Sequence, residues 1–415
     1  MHRKHLLKKI LLTLAIIFST TSSFAGDSYH FVHLKAQNVE ERSAIANHIP
    51  IDQIIDDSIY SVVSDYDYKI IQKNFPHFLV ASHIYQIPSA TTNENDDEFP
   101  SNDTAYHTYK ETITELNQYQ QKYPQISEIF SIGKSLEGKD LLGIHITAHA
   151  NKVALKQNPD LFIPGIVIVA LHHSREHLTT ELALKYVDHL LSNYGKDATI
   201  TSLINTRNIY IIPMLNPDGG MYDIKNRSYQ YWRKNRRPNS NGSFGVDLNR
   251  NYGYQWGTGG SSNSPNSDVY MGPTPFSEPE TIAFKDFITA TPNIRILLTL
   301  HTYSELILYP WGHKYSGVGG KDEEVFAKMG QTMAAWNNYT PQRSSDLYIA
   351  SGDTCDWAYG ERGIFCFTFE LSPKSGWFGG GFYPGTKAIE PTFQANIKPA
   401  LYLIDLADSP YRALK

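Results

Sequence analysis

The chain has 415 residues, of which 41% are hydrophobic and 19% charged, and its formal net charge is −5. This length exceeds what one hydrophobic core usually organises, so we expect two domains or one large domain with an appendage. The balanced charge lacks the basic excess of a nucleic-acid-binding protein. The cysteine content excludes a disulfide-built scaffold, and it leaves Cys355 and Cys366 either paired or as free buried thiols.

The N-terminal segment has the pattern of a secretory signal peptide. Residues 1–9 are basic, the apolar run 10–18 is too short to span a bilayer comfortably, and a tract of small residues ends at Ala25. We therefore predict cleavage after Ala25 and export of the protein, secreted or periplasmic. No later segment reaches the length of a membrane span, so we expect no stable membrane insertion.

Residues 26–87 are predicted to form a small α+β module. The stretches 29–36, 58–65 and 77–87 have the composition of short strands, and 39–48 and 66–74 that of helices. Residues 88–103, PSATTNENDDEFPSND, are rich in proline, polar and acidic residues, so we predict a linker there. A trypsin-like protease would find no site in it, because no lysine or arginine occurs between Lys73 and Lys110.

From residue 104 to 415, apolar strands alternate with helices. An amphipathic helix (108–125) and a hairpin-like pair (129–147) precede a continuous apolar strand, 166–171, and a helix, 178–195. Three further apolar stretches follow, at 208–215, 294–312 and 362–372. This order predicts an α/β fold with a mixed, mostly buried β-sheet and helices on both faces.

Metal-binding residue types stand at the ends of two predicted strands. A catalytic zinc needs three protein ligands and one open position. His173 and Glu176 follow one strand, and His301 ends another, so the three can meet at the carboxyl edge of the sheet. The spacing of His173 and His177 offers an alternative metal pair, but it leaves Glu176 unused. We expect His172 and His177 to be supporting or incidental.

Several motifs resemble, in order and spacing, those of the zinc metallocarboxypeptidases of the carboxypeptidase A/B family, with the secreted bacterial carboxypeptidase T group the nearest. They are HSRE, YWRKNR, GVDLNRN, LHTYSELILYPWG, SDLYIASGDTCDWAYG and FTFEL, and they span about residue 106 to the C-terminus. The resemblance implies one Zn²⁺ per chain, peptide or protein substrates with a free C-terminus, and a monomer. It also implies that residues 26–87 are a propeptide. A structural Ca²⁺ is compatible with the bacterial group, but no acidic loop here is distinctive enough to assign one.

The resemblance implies a catalytic role at each matching position. His173, Glu176 and His301 would bind the zinc, with Glu370 as the general base and Arg233 polarising the scissile carbonyl. The residues that would contact the substrate are Asn249 and Arg250 (terminal carboxylate), Tyr348 (closing over the C-terminal residue), and Arg175 and Tyr303 (further upstream).

The pocket for the C-terminal side chain is implied in the same way. Its residues would be Leu308, Gly312, Ala350, Asp353, Cys355 and Thr368. A small apolar thiol at Cys355, where basic-specific relatives have an aspartate, argues against dedicated basic specificity. Asp353 stands where the bacterial group also has an aspartate and accepts both classes. We therefore expect mixed specificity for large hydrophobic and basic residues; the alternative is that Asp353 faces solvent.

Two other functions are compatible with parts of the pattern. A peptidoglycan-peptide carboxypeptidase or amidase of the same fold would keep the zinc and Glu370 but usually changes the pocket, and the retained DLYIASG segment favours ordinary peptides. A non-catalytic binding module would lack a ligand or Glu370, and none is missing from the sequence.

Overall fold

The computed structural model describes residues 28–87, 98–148, 151, 162–376 and 381–415. The predicted signal peptide and most of the predicted linker lie outside these residues. Two sheets organise the described chain: a four-stranded sheet near the N-terminus and an eight-stranded sheet that follows it.

The four-stranded sheet is antiparallel, in the order β2-β3-β1-β4. Its elements are β1 (Ser28–Lys35), α1 (Val39–Ala46), β2 (Gln53–Ile55), β3 (Ser58–Ser64), α2 (Asp65–Asn74) and β4 (Leu79–Gln86). The side chains of Asn38 and Ser64 cap the two helices by accepting a hydrogen bond from a backbone N–H in the first turn. Buried aliphatic residues of the strands and helices form a core of their own. We call residues 28–87 the N-terminal module.

The eight-stranded sheet is mixed, in the order β11-β10-β12-β9-β7-β8-β6-β5. Its strands are β5 (Ser127–Lys134), β6 (Asp140–Ile146), β7 (Gly165–Val169), β8 (Asn208–Ile212), β9 (Ile294–Thr302), β10 (Leu306–Tyr309), β11 (Thr340–Arg343) and β12 (Phe365–Leu371). The central strands β12, β9, β7 and β8 run parallel, so their carboxyl ends lie at one edge. Antiparallel pairs flank them on both sides.

Helices cover both faces of this sheet, which confirms the predicted fold class. They are α3 (Tyr109–Lys122), α4 (Leu178–Asn193), α5 (Ala198–Thr206), α6 (Pro217–Asp223), α7 (Pro279–Ala290), α8 (Gly320–Asn337), α9 (Thr354–Arg362) and α10 (Ile389–Asp405). Alternate residues of β7 belong to opposite cores: Ile166 and Ile168 pack with α4 and α10, whereas Val167 and Val169 pack with α7 and α9. No helix in the described ranges combines the length and apolarity needed to cross a membrane.

The N-terminal module packs against two loops of the remaining chain, one between α6 and α7 and one between β11 and α9. Tyr348 lies against the apolar core of the module. The Arg42 Nε–H donates to the Leu347 carbonyl at 2.7 Å, and the Ser267 hydroxyl donates to the His48 carbonyl at 2.8 Å. The module is therefore held by both apolar and hydrogen-bonded contacts.

Two carboxyl groups meet where the module contacts the rest of the chain. The Asp268 N–H donates to Asp67 Oδ2 at 2.9 Å, and the Ser64 N–H donates to Asp268 Oδ2 at 3.3 Å. Asp67 Oδ1 is buried without a hydrogen-bond partner. Burial and the neighbouring Asp268 raise the pKa of Asp67 well above its ordinary value, and burial also raises the pKa of Asp268, although the Lys234 ammonium opposes this.

These raised pKa values predict a pH-dependent stability. These two carboxyl groups stay protonated to higher pH in the native chain than in the unfolded chain. Their ionisation therefore lowers the free energy of unfolding as pH rises, by up to about 1.4 kcal/mol per pH unit for each group. Asp67→Asn removes one of these charges. We expect the difference in urea midpoint between Asp67→Asn and wild type to become more favourable to the variant from about pH 5 to about pH 8. At the higher pH the free energy of unfolding of the variant should exceed that of wild type by roughly 1–3 kcal/mol. The exposed Asp56→Asn serves as the control, and a pH-independent difference for Asp67→Asn would contradict the expectation.

Candidate active site

The carboxyl ends of the parallel strands bring the predicted site residues together. His173 and Glu176 lie in the loop after β7, and His301 lies near the end of the neighbouring strand β9. Glu370 on β12 is the register partner of His301. Polar side chains gather at this edge because each parallel strand stops here and its following loop is free to turn over the sheet.

His173, Glu176 and His301 form a buried cluster whose nitrogen and oxygen atoms lie within 4.8 Å of one another. His173 Nδ1 lies 2.8 Å from Glu176 Oε1, His301 Nδ1 lies 2.9 Å from Glu176 Oε2, and the two Nδ1 atoms are 3.2 Å apart. Two imidazoles and a carboxylate converging on one point are a donor set that suits zinc. These three residues can therefore hold the metal.

Asp247 orients two of the neighbouring groups at once. Its Oδ1 lies 3.1 Å from His173 Nε2, and its Oδ2 accepts hydrogen bonds from Arg233 Nε–H and Nη2–H at 3.0 and 2.9 Å. Although burial opposes ionisation, Arg233 and His173 hold the pKa of Asp247 well below its ordinary value. A carboxylate on Nε2 leaves the Nδ1 lone pair of His173 free for a metal, as metal-binding histidines require.

Glu370 is the remaining acidic group beside the cluster. Burial raises the pKa of Glu370 to about 8, and the Glu176 carboxylate acts in the same direction. A carboxyl group with a pKa near neutrality is suited to take up and release a proton.

Asn249 and Arg250 follow Asp247 closely in the sequence and form a second polar group. Asn249 Oδ1 accepts hydrogen bonds from both the backbone N–H and the hydroxyl of Thr354, each at 2.9 Å. Arg250 is buried, and its Nε–H donates to the Gly260 carbonyl at 2.8 Å. The amide Nδ2 of Asn249 and the guanidinium of Arg250 are thus available as neighbouring donors for an anionic ligand.

The predicted pocket residues also lie together. Leu308 and Thr368 are register partners on β10 and β12. Gly312 borders Asp353, since a Cβ added at Gly312 would lie 3.2 Å from Asp353 Oδ2. Asp353 Oδ1 caps α9 by accepting from two backbone N–H groups, and its Oδ2 is buried without a hydrogen-bond partner. Burial and the nearby Asp356 raise the pKa of Asp353 to about 8.

Cys355 differs from the sequence-based expectation. It forms a disulfide with Cys366 and so does not present the free thiol on which the specificity argument drew. The bond joins the start of α9 to β12, with Cys355 Sγ 3.4 Å from Thr368 Oγ1. The disulfide leaves no charged group at this position.

The N-terminal module contacts two residues that were expected to bind the substrate, Arg175 (further upstream) and Tyr348 (over the C-terminal residue). Arg175 Nη2 forms an ion pair with Asp52 Oδ1 at 2.8 Å, and the two side chains are 0% and 2% exposed. The Tyr348 hydroxyl donates to the Ile51 carbonyl at 3.3 Å. Tyr303 is buried against Phe382. The module thus covers this side of the site.

His177, the alternative ligand of the sequence analysis, is not part of the metal cluster. Its Nε2 lies 2.9 Å from Asp223 Oδ2 instead. Sequence reasoning passed over Asp247 and Thr354, which hold Arg233 and Asn249 in place. Both residues stand inside quoted motifs, Asp247 in GVDLNRN and Thr354 in SDLYIASGDTCDWAYG, but no local sequence pattern marks their contacts with distant residues.

Comparisons with known proteins agree with this geometry. A family model described as zinc carboxypeptidase (Peptidase_M14) matches residues 112–398. A zinc carboxypeptidase of Saccharothrix mutabilis subsp. capreolus is 38% identical over 308 residues, which are 72% of this chain and 69% of the relative. Carboxypeptidase A2 of Mus musculus is 35% identical over 296 residues, 69% of this chain and 67% of the relative.

Among solved structures, carboxypeptidase A from Helicoverpa armigera superposes with a TM-score of 0.71 at 24% identity, covering 93% of this chain and 99% of that one. This coverage exceeds what residues 98–415 alone could supply, so the likeness in fold extends into the N-terminal module. With the family model matching well over half of the chain and both relatives above 30% identity, the chain belongs to the zinc carboxypeptidase family and is a zinc-dependent metallocarboxypeptidase.

Proposed function

We propose that this metallocarboxypeptidase is an exported enzyme that removes single residues from the C-terminus of peptides and proteins, with mixed preference for large hydrophobic and basic residues. The observation that carries the proposal is the convergence of three groups at one sheet edge: the His173–Glu176–His301 cluster, the Glu370 carboxyl and the Asn249–Arg250 donors. The basic and then apolar residues 1–25 support export.

The metal ligands, Glu370 and Arg233 have separate roles in the proposed hydrolysis. Zinc held by His173, Glu176 and His301 would supply a Lewis acid that lowers the pKa of water to about 7 and polarises the substrate carbonyl. Glu370 takes the proton of the attacking water and returns it to the leaving amine. Arg233, fixed by Asp247, donates to the oxygen on which negative charge develops, and the loss of one such donor typically costs about 3–4 kcal/mol.

Recognition of the C-terminus follows from the second polar group. Asn249 and Arg250 offer donors to a carboxylate, and an internal peptide bond has no carboxylate to accept them. The enzyme is therefore restricted to the last residue of a chain. Tyr348, when its contact with Ile51 is released, is placed to close over that residue.

Glu370→Gln tests the assignment of the general base. We expect the amide, which cannot take a proton, to lower kcat by about 10²–10⁴-fold while the protein still binds stoichiometric zinc. The measurement is the hydrolysis of blocked dipeptides ending in Phe, Leu, Arg, Lys and Glu, with and without chelator, together with metal analysis. Glu305→Gln is the matched control, because Glu305 accepts a hydrogen bond from Ser372 outside the cluster.

Several outcomes of this assay would contradict the proposal. Activity that survives complete zinc removal would exclude the metal-dependent reaction, and near-wild-type kcat in Glu370→Gln would exclude the general base. Cleavage of peptidoglycan peptides with no turnover of the dipeptide panel would favour the amidase alternative.

Asp353 is the proposed determinant for basic residues. Its Oδ2 is buried, lacks a partner and borders Gly312 in the pocket, so it can pair with a cationic side chain. Asp353→Asn keeps the helix cap but loses the charge.

We expect Asp353→Asn to lower kcat/KM for C-terminal Arg and Lys by about tenfold to a hundredfold, and to change Phe and Leu by less than about twofold. Because the pKa of Asp353 is raised to about 8, the wild-type ratio of Arg to Phe cleavage should increase with pH, and that increase should vanish in the variant. Equal losses on Phe and Arg substrates would contradict the role of Asp353.

The N-terminal module is proposed to be an inhibitory propeptide. The buried Asp52–Arg175 ion pair and the Tyr348–Ile51 hydrogen bond engage two residues that the substrate would contact. Removal of one partner of a buried ion pair is strongly destabilising, by about 3–5 kcal/mol, because the other charge is left uncompensated.

Asp52→Asn in the intact chain should therefore raise the rate of dipeptide hydrolysis by at least about tenfold, with an intact mass that shows no cleavage. Asp57→Asn is the control, because Asp57 pairs with Lys35 at the exposed surface of the same module. An intact wild-type chain that is already fully active would contradict an inhibitory module.

A further inference from the structure

A buried hydrogen-bond network connects His172 to the donors for the substrate carboxylate. His172 is 0% exposed and follows the same strand as His173. Its ring stacks on that of His301 at 5.4 Å, but both of its nitrogens face other partners, Thr299, Thr354 and Tyr252. Its Nδ1 lies 3.2 Å from Thr299 Oγ1, and its Nε2 lies 3.0 Å from Thr354 Oγ1 and 2.9 Å from the Tyr252 hydroxyl.

The donors and acceptors in this network can be assigned by counting protons. The backbone N–H of Thr354 can only donate, so the Asn249 atom that faces it at 2.9 Å is the amide oxygen. The Thr354 hydroxyl donates its one proton to the same oxygen. With Nε2 as its protonated nitrogen, His172 can donate to the Thr354 oxygen and to the Tyr252 hydroxyl, and its Nδ1 can accept from the Thr299 hydroxyl.

This assignment fixes the orientation of Asn249. Two donors from Thr354 occupy Oδ1, so Nδ2 is the group that this amide can offer to a carboxylate. The Thr354 hydroxyl proton bonds to Asn249, and the hydroxyl oxygen lies 3.0 Å from His172 Nε2, so a hydrogen bond from the imidazole supports the hydroxyl in this position.

We infer that His172 and Thr354 are positioning residues for the carboxylate of the substrate, acting through Asn249, and that His172 has no part in holding the metal. The inference rests on the proposed recognition of the C-terminal carboxylate by Asn249 and Arg250. It adds two residues to which neither the sequence motifs nor the family resemblance gave a role.

The interaction with a carboxylate exists in both the ground state and the transition state, so its weakening raises KM and leaves kcat largely unchanged. In the zinc-loaded, peptidase-active protein we expect Thr354→Val and His172→Leu each to raise KM for a blocked dipeptide by about tenfold, with kcat within about threefold of wild type. Thr354→Ser and His172→Gln retain a hydroxyl and an N–H donor and should restore most of the loss. The double variant should lose no more than the worse single variant, because both act in one network.

A pair of inhibitors separates positioning from general damage to the structure. N-acetyl-L-phenylalanine carries the carboxylate, and N-acetyl-L-phenylalaninamide does not. We expect the inhibition constant of the acid to increase about tenfold in Thr354→Val and that of the amide to stay unchanged. Thr147→Val is the matched control, because it removes a buried threonine hydroxyl that donates to the Arg207 carbonyl, away from the site.

Each remaining outcome overturns the inference. Equal weakening of the acid and the amide would indicate a structural role, and loss of zinc with a fall in kcat in His172→Leu would place His172 in the metal site. Variants with wild-type KM would show that Asn249 needs no support. A wild-type enzyme that cleaves no dipeptide would instead contradict the proposed function itself.

Discussion

The buried carboxylate of Asp247 is the interaction on which the rest of the site depends. It accepts from Arg233 through one oxygen and faces His173 through the other, so one side chain sets the position of a metal-binding imidazole and of the cation beside it. A buried carboxylate is costly unless it is paired and hydrogen-bonded, and both requirements are met by the groups that it orients. Asp247 thereby connects the candidate metal cluster and Arg233 in one hydrogen-bonded unit.

The parallel register of the central strands supplies the second constraint. Glu370 and His301 are direct partners on β12 and β9, and the loop after the adjacent strand β7 contributes His173 and Glu176. Backbone hydrogen bonds thus fix the distance between the proposed base and the metal ligands, and a slip of one residue would turn either side chain to the opposite face. The Cys355–Cys366 disulfide adds a covalent connection between the start of α9, which Asp353 caps, and β12.

The fold class and the three candidate metal ligands could be predicted from the sequence pattern, because apolar periodicity marks the strands and the ligand types stand where those strands end. Glu370, Arg233, Asn249 and Arg250 were identified only through the resemblance of their motifs to the family. The pairing of Cys355 could not, since it depends on the distance between a helix start and a strand that only packing determines. Asp247 and Thr354 were missed for a similar reason. Their partners, His173 and Asn249, are 74 and 105 residues away in the chain, and no local pattern reports such contacts.

The same limit explains why the ion pair of Arg175 with Asp52 was not predicted from the sequence. The sequence resemblance pointed to a substrate contact, and the structure places Asp52 of the N-terminal module on the guanidinium. A buried cation that is 0% exposed is costly without a counter-charge. If the Asp52 carboxylate leaves Arg175, another acceptor or water has to replace it. Under the proposed function, the module and the substrate would compete for Arg175. Such a site can be inhibited without any change in its catalytic residues, because the module needs only to satisfy the charges that a peptide would otherwise meet.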